Sequence, residues 1–542
     1  MGSLLHPTPL HRFALSEAPP EKAAVLGSGV RFHRRGSLVT VEIPFSSVER
    51  VFYRMRPGDL VVSTDLRLLY AEGDSLDSDG VVSLLVLGGC VPPLTPFRHV
   101  RAFLPGYTHR VDLEVGRVES QPAVRWSSPS PEDRTMRTGD QVTLLKQALD
   151  DAIQSLCPDD DPIVLLSGGV DSAAITVRLA ASGRNHTSLF HCSFGEDDEE
   201  TNWARANASE LGLELEVTTW RGDSGYEALE QAAALYSMPF VDGACVPALT
   251  LAHAVAARVD PDRAVFHGTG ADGCFGMWRR ARRSAWVYAP PETVRLAFGE
   301  LYRRFRLFRH EGASERLLRL MRRSSQLGRL AFLAGQHPLA GIAFSAPPAT
   351  LARISGLCIE WVQALARGEE MTELFSLLDL GLMCAGILNQ KNRVLMRRHG
   401  FNIAYPYLAP GVIDLALSHG RLWPGGMRPK NVLKHLVAEV LPARLAFRPK
   451  RGFAPPLDRQ LSHPVFLEHL DAASHSVAAL RPYVETDFIA QSLRDLRSGI
   501  RLPSTTYNFL WGVAFCNAWL THIPREARRI QQEREIADRR KG

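Results

Sequence analysis

A short run of aliphatic residues followed closely by two glycines constrains the fold of this chain more than any other stretch. The aliphatic residues 163–166 predict a strand that is buried on both faces. Ser167, Gly168 and Gly169 then predict a tight turn, and the alanine-rich residues 173–181 predict a helix. The N–H groups of such a turn and the positive end of the helix dipole attract anions. The stretch therefore predicts a strand, a loop and a helix that hold a phosphate group.

The side chains of the loop narrow the choice among nucleotide-binding loops. Ser167 and Ser172 add hydroxyl donors to those of the backbone. The loop G-x-x-x-x-G-K-[ST] is excluded, because no lysine follows Gly169. At this point a glycine-rich turn without a ligand is the alternative interpretation.

The motif S-G-G-V-D-S resembles the pyrophosphate loop of the N-type ATP pyrophosphatases, which include asparagine synthetase and β-lactam synthetase. The resemblance implies an α/β fold of the adenine-nucleotide α-hydrolase (PP-loop) type. It also implies that ATP is cleaved between its α and β phosphates and that AMP is placed on a carboxylate. Asp171 corresponds to a magnesium ligand of the family. The residues expected to bind the nucleotide phosphates are Ser167, Gly168, Gly169, Val170 and Ser172.

Composition sets broad limits on the function. The 542 residues suggest roughly two to four domains. The net charge of +5 is small, so charge alone indicates neither a nucleic-acid nor a membrane role. The eight cysteines form no C-x-x-C pair, so we expect buried free thiols and a cytoplasmic protein. No secretory signal is predicted, and no apolar run approaches the ~20 residues that a membrane helix needs.

Residues 1–125 are the predicted first domain, which we expect to be β-rich. Runs typical of strands occur at residues 37–43, 50–53, 60–63, 66–71 and 110–115. Residues 60–69 and 87–97 resemble the end of a class II glutaminase domain.

The nucleophile of that glutaminase class is not found. The class needs a cysteine directly after the initiator methionine, whereas this sequence begins Met1-Gly2-Ser3 and its first cysteine is Cys90. We therefore expect a degenerate, truncated glutaminase-like domain that hydrolyses no glutamine. Its expected role is to support the synthetase domain, with a share in binding a partner left open.

Residues 126–139 predict a linker and residues 140–523 a synthetase domain. Residues 524–542 predict a charged tail that is helical or frayed. Strands and helices alternate after the phosphate loop, which predicts a parallel sheet with ligands beyond the carboxyl ends of its strands. The next predicted strand, residues 187–194, includes Ser193, which by resemblance belongs to the adenine pocket.

Two acidic residues, Glu199 and Glu200, open the helix after that strand. They resemble an acidic pair of the family at the same place. Carboxylates in the first turn of a helix also interact favourably with its dipole. We therefore interpret both as an acidic first turn.

A second glycine-rich turn, within residues 264–276, follows another predicted strand and presents one carboxylate. It resembles the family motif S-G-E-G-A-D-E-L-F-G, which places Asp272 on the second magnesium ligand and Gly270 in the nucleotide site. Mg²⁺ prefers carboxylate and phosphate oxygens, so two aspartates from two loops suit this ion. The glutamate that follows the aspartate in the family is Gly273 here.

Two lysines further along the chain complete the predicted nucleotide site. Lys430 begins a stretch that resembles the family's K-x-x-L-R, and we expect it to bind phosphate. Lys450 lies in a stretch that resembles R-P-K-x-G-F and falls on the catalytic lysine of the family. A cation there would stabilise negative charge on the α-phosphate. A lysine in a solvent-exposed loop is the alternative for Lys450.

The amine pocket of asparagine synthetase is not conserved in this sequence. The family's glutamate, arginine and aspartate are replaced by Asn402, Ala404 and Ala409. Together with the missing glutaminase nucleophile, these replacements argue against ordinary asparagine synthesis. They favour an amine that the substrate itself carries.

The resemblance therefore implies an AMP-forming carbon–nitrogen ligase that uses ATP and Mg²⁺, with Lys450, Asp171 and Asp272 as catalytic residues. Lasso peptide cyclases resemble the chain in their shortened front domain and in the form G-x-G-x-D-x-x-F of the second loop. They join the N-terminal amine of a precursor peptide to an Asp or Glu side chain, which makes a macrolactam. A companion leader peptidase and a leader-binding protein would then be partners.

Several alternatives remain open at this stage. They are a β-lactam synthetase-like closure of a small amino acid, another asparagine synthetase-type amide ligase, a tRNA-modifying PP-loop enzyme and a catalytically inactive scaffold. Residues 278–323 are rich in arginine with interleaved aromatic residues. Such a stretch is a solvated helix face, a groove for an acidic peptide or an RNA-binding surface. We do not expect a nucleic-acid partner.

Overall fold

The computed structural model describes most of the chain. It covers residues 10–14, 24–26, 29–126, 136–157, 161–184, 186–195, 198–220, 225–305, 346–366, 371–419, 430–448, 455–464, 466–468, 470–471 and 479–541. The predicted catalytic residue Lys450 lies outside the described residues, as do residues 127–135 of the predicted linker and residues 306–323 of the arginine-rich stretch.

Two antiparallel sheets pack face to face in the first part of the chain, which confirms the β-rich prediction. The strands are β1 Leu10–Ala14, β2 Ala24–Leu26, β3 Val30–Arg35, β4 Leu38–Ile43, β5 Phe52–Arg56, β6 Asp59–Ser63, β7 Arg101–Ala102, β8 Tyr107–Asp112 and β9 Arg117–Pro122. One sheet has the order β1-β6-β5-β7 and the other β2-β3-β4-β8-β9. Alternate residues point into their shared core, such as Val39 and Val41 of β4 and Leu60 and Val62 of β6.

The strand predicted at residues 66–71 is wrong. The structure has a 3₁₀ turn at Leu66–Leu68 instead. The carboxylate of Asp65 accepts a hydrogen bond from the N–H of Arg67 at 3.0 Å, which caps the turn. A capping side chain therefore outweighs the alternating apolar pattern of this segment.

A buried helix that the sequence patterns did not predict, α1 (Ser78–Leu87), joins the β-sandwich to the rest of the chain. Asp77 caps its start by accepting a backbone hydrogen bond, and Gly88 ends it in the left-handed conformation, with φ of 82°. Most of its residues are buried, as is typical of a helix covered on all sides. It packs against the helices Pro348–Leu365 and Ser504–Lys541.

The second part of the chain contains the predicted parallel sheet, so the α/β fold class is confirmed. Its strands are β10 Ile163–Leu165, β11 Ser188–Ser193, β12 Leu215–Thr219, β13 Ala264–Phe266 and β14 Asn402–Ala404. They lie in the order β12-β11-β10-β13-β14, and every adjacent pair is parallel. All three residues of the central strand β10 are buried, as the aliphatic run predicted.

Helices surround this sheet. Up to residue 305 they are α2 Thr138–Leu156, α3 Val170–Ala181, α4 Glu199–Glu210, α5 Gly225–Leu235, α6 Cys245–Ala256, α7 Ala271–Phe275, α8 Trp278–Val287 and α9 Glu292–Phe305. The later ones are α10 Pro348–Leu365, α11 Met371–Leu378, α12 Asn389–Arg398, α13 Pro410–His419, α14 Asn431–Ala438, α15 Ala443–Ala446, α16 Leu457–Leu461, α17 Thr486–Arg497 and α18 Ser504–Lys541. A π-helical segment, Asp379–Leu388, connects α11 to α12, and short 3₁₀ turns lie at Pro406–Leu408 and Arg481–Tyr483.

The last helix continues into the predicted charged tail. Residues from 524 on, predicted as a charged tail, continue α18 through Pro524 as far as residue 541. In this portion Arg529 pairs with two glutamates one turn away on either side. Gln531 donates a hydrogen bond to the carbonyl of Tyr70 at 3.2 Å, so the helix is docked on the β-sandwich. These contacts stabilise the helix beyond the proline.

The β-sandwich and the parallel-sheet part share a continuous hydrophobic core. Polar contacts cross the same boundary: Tyr107 donates its hydroxyl hydrogen to the carbonyl of Trp361 at 3.0 Å, and the indole of Trp361 donates to the carbonyl of Pro105 at 3.1 Å. The buried carboxylate of Glu49 also pairs with Arg397 at 2.7 Å. The first part of the chain is therefore packed firmly against the part that holds the phosphate loop.

All eight cysteines are buried and free of disulfides, as the sequence predicted. Burial raises the pKa of the Cys90 thiol to about 12, so it stays protonated at neutral pH. Among the helices of the described ranges, none is both long enough and apolar enough to cross a membrane.

Candidate active site

The phosphate loop has the predicted strand–loop–helix form. It leaves β10 after Leu165, and Gly169 caps α3, which begins at Val170. The hydroxyl oxygens of Ser167 and Ser172 are 3.0 Å apart, and that of Ser172 accepts the N–H of Ser167 at 3.0 Å. Both hydroxyls therefore brace the loop itself. The N–H groups of the first turn of α3 have no partner within the helix and are the donors suited to phosphate.

Close packing requires glycine at position 168. A Cβ atom built there would lie 2.7 Å from the backbone oxygen of Glu200 and 2.8 Å from the Cβ of Trp203. Both neighbours belong to α4, whose first turn thus supports the loop from outside. Any side chain at Gly168 would push the loop away from this helix.

The second glycine-rich turn lies directly beside the first. A Cβ atom built on Gly268 would be 3.1 Å from the Cβ of Asp171, so the two loops are in contact. Gly270 has φ of 102° and caps the short helix α7, which carries Asp272. The left-handed conformation of Gly270 explains why glycine is needed there. The two predicted magnesium ligands are thus brought together from separate loops.

The ammonium group of Lys430 lies between these two aspartates. Its Nζ is 2.5 Å from Oδ2 of Asp171 and 3.0 Å from Oδ1 of Asp272. Burial by itself would lower the pKa of this ammonium, but the two carboxylates raise it above its ordinary value. The lysine is therefore protonated and shared by both acids.

The backbone of Lys430 is also held in place. Its φ of 58° lies in the left-handed region, which costs a non-glycine residue on the order of 1 kcal/mol. Its N–H donates to the carbonyl of Phe275, at the end of α7, at 3.1 Å. A strained residue that its surroundings fix in this way is common at functional sites.

The same two aspartates suit a divalent cation. Oδ1 of Asp171 is buried and accepts no hydrogen bond, so one carboxylate oxygen is available for coordination. The described residues contain no group of three or more metal-ligating side chains. Asp171 and Asp272 would therefore supply two ligands, and phosphate oxygens and water the others, as is usual for Mg²⁺.

Ser193 lies at the carboxyl end of β11, the strand next to β10, on the edge of the sheet where the phosphate loop begins. Its hydroxyl donates to the carbonyl of Gly195 at 3.1 Å, and its own carbonyl accepts the N–H of Trp220. The side chain thus shapes a turn at the predicted adenine pocket. Any contact of Ser193 with adenine remains a prediction.

The described chain reaches Arg448, two residues before Lys450. The guanidinium of Arg448 forms two hydrogen bonds to the carboxylate of Glu200, the residue interpreted from the sequence as part of an acidic first turn. The contact joins residues 248 positions apart, and no local sequence pattern indicates it.

Buried polar side chains continue from the second loop towards α12. Nδ1 of His267 accepts the N–H of Thr269 at 3.1 Å. Nε2 lies 3.1 Å from the amide of Asn392. Next to it, Lys391 pairs with Asp242 at 2.7 Å. Burial lowers the pKa of His267 to about 3, so the ring is neutral at physiological pH. Asp242, Lys391 and Asn392 belong to no motif of the sequence that predicts a polar cluster.

Gly273 has no room for a side chain. A Cβ atom at this position would lie 2.7 Å from the side chain of Leu380 and 2.9 Å from Oδ2 of Asp379. Both residues belong to the π-helical segment, and such segments are frequent at functional sites. The altered loop and the π-helical segment are therefore packed as one unit.

The positions of the altered amine pocket lie on β14 and at the end of the 3₁₀ turn Pro406–Leu408. Asn402 is exposed at the start of this edge strand, whereas Ala404 is buried at its end.

In the arginine-rich stretch, the described part of α8 exposes Arg279, Arg280 and Arg283. An exposed arginine face is what both the solvated-face and the peptide-groove interpretations require.

Comparison with known proteins agrees with this geometry. Relatives with 25% identity over 360 residues are candidate glutamine-hydrolysing asparagine synthetases of Mycobacterium bovis and Mycobacterium tuberculosis. The matched region is 63% of this chain and 52% of each relative, so the chain spans about half the length of the curated relatives it matches.

A family model gives the broader match. The model described as asparagine synthase matches residues 144–521, which contain Asp171, Asp272, Lys430 and the whole parallel sheet. These residues are most of the chain. The chain therefore belongs to the asparagine synthase family.

Proposed function

We propose that the chain is an ATP-dependent amide ligase that adenylates a carboxylate and then transfers the acyl group to an amine. One observation carries this proposal: Asp171, Asp272 and Lys430 meet beside the Ser-Gly-Gly loop. Membership of the asparagine synthase family supports AMP-forming carbon–nitrogen ligation.

In the first step, a carboxylate oxygen of the substrate attacks the α-phosphorus of ATP. The bond from the α-phosphorus to the bridging oxygen breaks, and pyrophosphate leaves. The N–H groups at the start of α3 and the ammonium of Lys430 offset its charge. Asp171 and Asp272 would hold Mg²⁺, which adds positive charge at the pyrophosphate when bound. Lys450 is assigned to the α-phosphate by resemblance.

In the second step, an amine nitrogen attacks the carbonyl carbon of the acyl-adenylate. The bond from this carbon to the phosphate oxygen breaks, AMP leaves, and the nitrogen loses a proton as the amide forms. A carboxylate alone is unreactive towards amines, so the first step supplies the leaving group. The protein contributes chiefly by holding both reactants in position.

We further propose that the acceptor amine belongs to the same molecule as the carboxylate, namely a precursor peptide closed into a macrolactam. Asn402, Ala404 and Ala409 replace the residues of the family's amine pocket, which disfavours free ammonia as the acceptor. Exposed arginines of α8 suit a peptide with acidic side chains. A leader peptidase and a leader-binding protein are the partners that this proposal implies.

An isotope experiment tests the ligase chemistry. The protein is incubated with ATP, Mg²⁺ and a synthetic peptide whose Asp and Glu side-chain carboxylates carry oxygen-18. Adenylation transfers one labelled oxygen to AMP, and ring closure removes one water from the peptide mass. Label in ADP or inorganic phosphate instead of AMP contradicts adenylation.

The choice of acceptor is tested separately. A peptide with an acetylated N-terminus should still yield labelled AMP after hydrolysis of the adenylate, but no ring. Glutamine or ammonium added with free aspartate should give no asparagine. Asparagine formation would support ordinary asparagine synthesis and contradict the peptide proposal.

A further inference from the structure

The ammonium of Lys430 lies where the two proposed metal ligands converge. Its Nζ is 2.5 Å from Oδ2 of Asp171 and 3.0 Å from Oδ1 of Asp272, and only 3% of the lysine side chain is exposed. A Mg²⁺ ion that coordinated the same carboxylates would lie within a few ångströms of the ammonium. Two cations at that distance repel each other strongly in a place that water screens little. The ammonium and the metal ion are therefore competitors for the two carboxylates.

The charges of the three side chains favour the lysine in this competition. The two carboxylates carry two negative charges, and the ammonium of Lys430 neutralises one of them. A divalent cation added to this group would leave a net positive charge at a partly buried place, which is unfavourable. The phosphates of a nucleotide carry the negative charge that would balance it. The charge count therefore favours a metal ion that arrives together with phosphate.

The number of protein ligands leads to the same conclusion. Mg²⁺ requires a nearly ideal octahedral set of oxygen ligands. In the part of the chain that the structure describes, no third acidic, histidine or cysteine side chain joins Asp171 and Asp272 in a metal-binding group. The first turn of α3, which contains Asp171, is where phosphate is expected to bind. Phosphate oxygens at that position would supply the missing ligands.

The side chain of Lys430 can change partners while its backbone stays in place. The N–H of Lys430 donates to the carbonyl of Phe275 at 3.1 Å, and α14 begins directly after it at Asn431. The helix α14 packs against α3, so the lysine is held beside the start of α3. A lysine side chain is flexible, and its ammonium donates in several directions. A phosphate at the start of α3 is therefore an alternative partner for the same ammonium.

We propose that Lys430 and Mg²⁺ exclude each other from the two aspartates, and that nucleotide phosphates permit the exchange by taking over the ammonium. The inference rests on the proposed function, which supplies the nucleotide. Lys430 thus admits Mg²⁺ together with ATP and displaces it when pyrophosphate leaves. The metal ion is then a companion of the substrate that enters and leaves with it, and the protein holds no resident ion at Asp171 and Asp272.

Metal binding without nucleotide is the direct test. Mn²⁺ is used in place of Mg²⁺, because its electron paramagnetic resonance signal distinguishes the free ion from the bound one. The unaltered protein, Lys430→Met and Lys146→Met are each titrated with Mn²⁺ alone. Lys146→Met is the matched control, because it removes the same charge from a pair with Glu439 that includes neither aspartate.

We expect Lys430→Met to bind one Mn²⁺ at least about tenfold more tightly than the unaltered protein, because the competing charge is gone. Lys146→Met should bind Mn²⁺ as the unaltered protein does. Adding Asp272→Asn to Lys430→Met should abolish the gained site, which locates the ion at the aspartates. With ATP in the buffer, the unaltered protein should retain one Mn²⁺ for each bound nucleotide, as measured by equilibrium gel filtration.

The exchange is wrong if the unaltered protein binds Mn²⁺ alone as tightly as Lys430→Met does, or if Lys430→Met gains no site. It is also wrong if the unaltered protein binds ATP without retaining Mn²⁺. Thermal unfolding reports whether each variant folds, and Lys430→Gln, which also removes the charge, replaces a Lys430→Met protein that does not fold. An unaltered protein that binds no ATP contradicts the proposed function, whereas the titrations with Mn²⁺ alone still decide whether Lys430 competes with the metal.

Discussion

Lys430 and Asp171 are 259 residues apart in the sequence, yet the lysine ammonium donates to the aspartate carboxylate across the centre of the candidate site. The same ammonium pairs with Asp272. The two carboxylates would repel each other if the cation were removed. Lys430 thus keeps both acids together.

Replacing Lys430 by methionine should expose that repulsion. Removing one partner of a buried ion pair costs several kcal/mol, and the carboxylates of Asp171 and Asp272 are 22% and 42% exposed, so we expect a loss of about 2 kcal/mol. Millimolar Mg²⁺ should restore more stability in the variant than in the unaltered protein, because it replaces the lost cation. Equilibrium urea unfolding with and without Mg²⁺ measures both effects.

Lys146→Met is the control for this prediction. Lys146 forms a single pair with Glu439, and both side chains are partly exposed. Its removal should change stability little and leave the response to Mg²⁺ as in the unaltered protein. An equal Mg²⁺ response in Lys430→Met and Lys146→Met contradicts the shared-cation interpretation.

Asp171→Ala and Asp272→Ala should each abolish release of AMP. Each removes one of the two carboxylates proposed to hold the metal at the pyrophosphate. Chromatographic measurement of AMP from ATP in the presence of the peptide substrate is the assay. Asp150→Ala, which removes a partly exposed carboxylate paired with Arg178, should retain turnover. Turnover at the unaltered rate in either active-site variant removes the metal assignment.

Gly168→Ala should weaken ATP binding by tenfold or more. The added methyl group would lie 2.7 Å from a backbone oxygen of Glu200, so the loop has to move. Gly139→Ala is a matched control, because it lies in α2 with no heavy atom within 4 Å of the new Cβ. That variant should be as stable as the unaltered protein, or more so by about 0.5–1 kcal/mol. Equal affinity of both variants for ATP, measured by calorimetry, contradicts the close packing at Gly168.

The β-sandwich should become less stable at acidic pH because of the buried histidine His109. Burial lowers the pKa of this imidazole to about 4, from an ordinary value of 6.5. Between these values the unfolded chain binds a proton that the folded chain does not. The contribution of His109 is therefore complete above pH 6.5 and is lost as the pH falls towards 4.

His109→Gln tests this dependence. Glutamine can replace both contacts of the ring, with Ser120 and with the carbonyl of Leu104, without titrating. The slope of the unfolding free energy against pH should decrease by up to about 1.4 kcal/mol per pH unit. Urea unfolding at a series of pH values gives the slope. A control variant, His33→Gln, changes an exposed histidine of β3, and the same decrease in both variants contradicts the prediction.

We expect the protein to release neither glutamate nor ammonia when it is incubated with glutamine. A glutaminase of this type needs a reactive thiolate, whereas each of the eight cysteines is buried. A coupled glutamate dehydrogenase assay measures the product, and labelling with a glutamine-analogue inhibitor should modify no cysteine. Detection of ammonia above the rate without protein overturns this interpretation.

The two glycine-rich turns could be predicted from sequence, because their backbone chemistry is local. Four aliphatic residues before Ser167 require a buried strand, and the glycines after it permit a turn that side chains would block. Local reasoning failed where a single side chain decided the outcome. Asp65 caps a 3₁₀ turn within a segment whose pattern is typical of a strand. The helix α1 was not predicted, because it lies between residues 60–69 and 87–97, which were interpreted only by their resemblance to a glutaminase domain.

Which charged side chains meet in the site depends on tertiary structure. Sequence alone placed Asp171, Asp272 and Lys430 in motifs, but only the parallel sheet, which aligns the carboxyl ends of β10 and β13, brought the aspartates to one lysine. Tertiary packing likewise makes Glu200, which the sequence places in the first turn of a helix, the ion-pair partner of Arg448. Hydrophobic patterns and turns act over a few residues, whereas an ion pair depends on where distant elements pack. For that reason the sequence determined which elements carry the site, and only the tertiary structure decided which charges meet there.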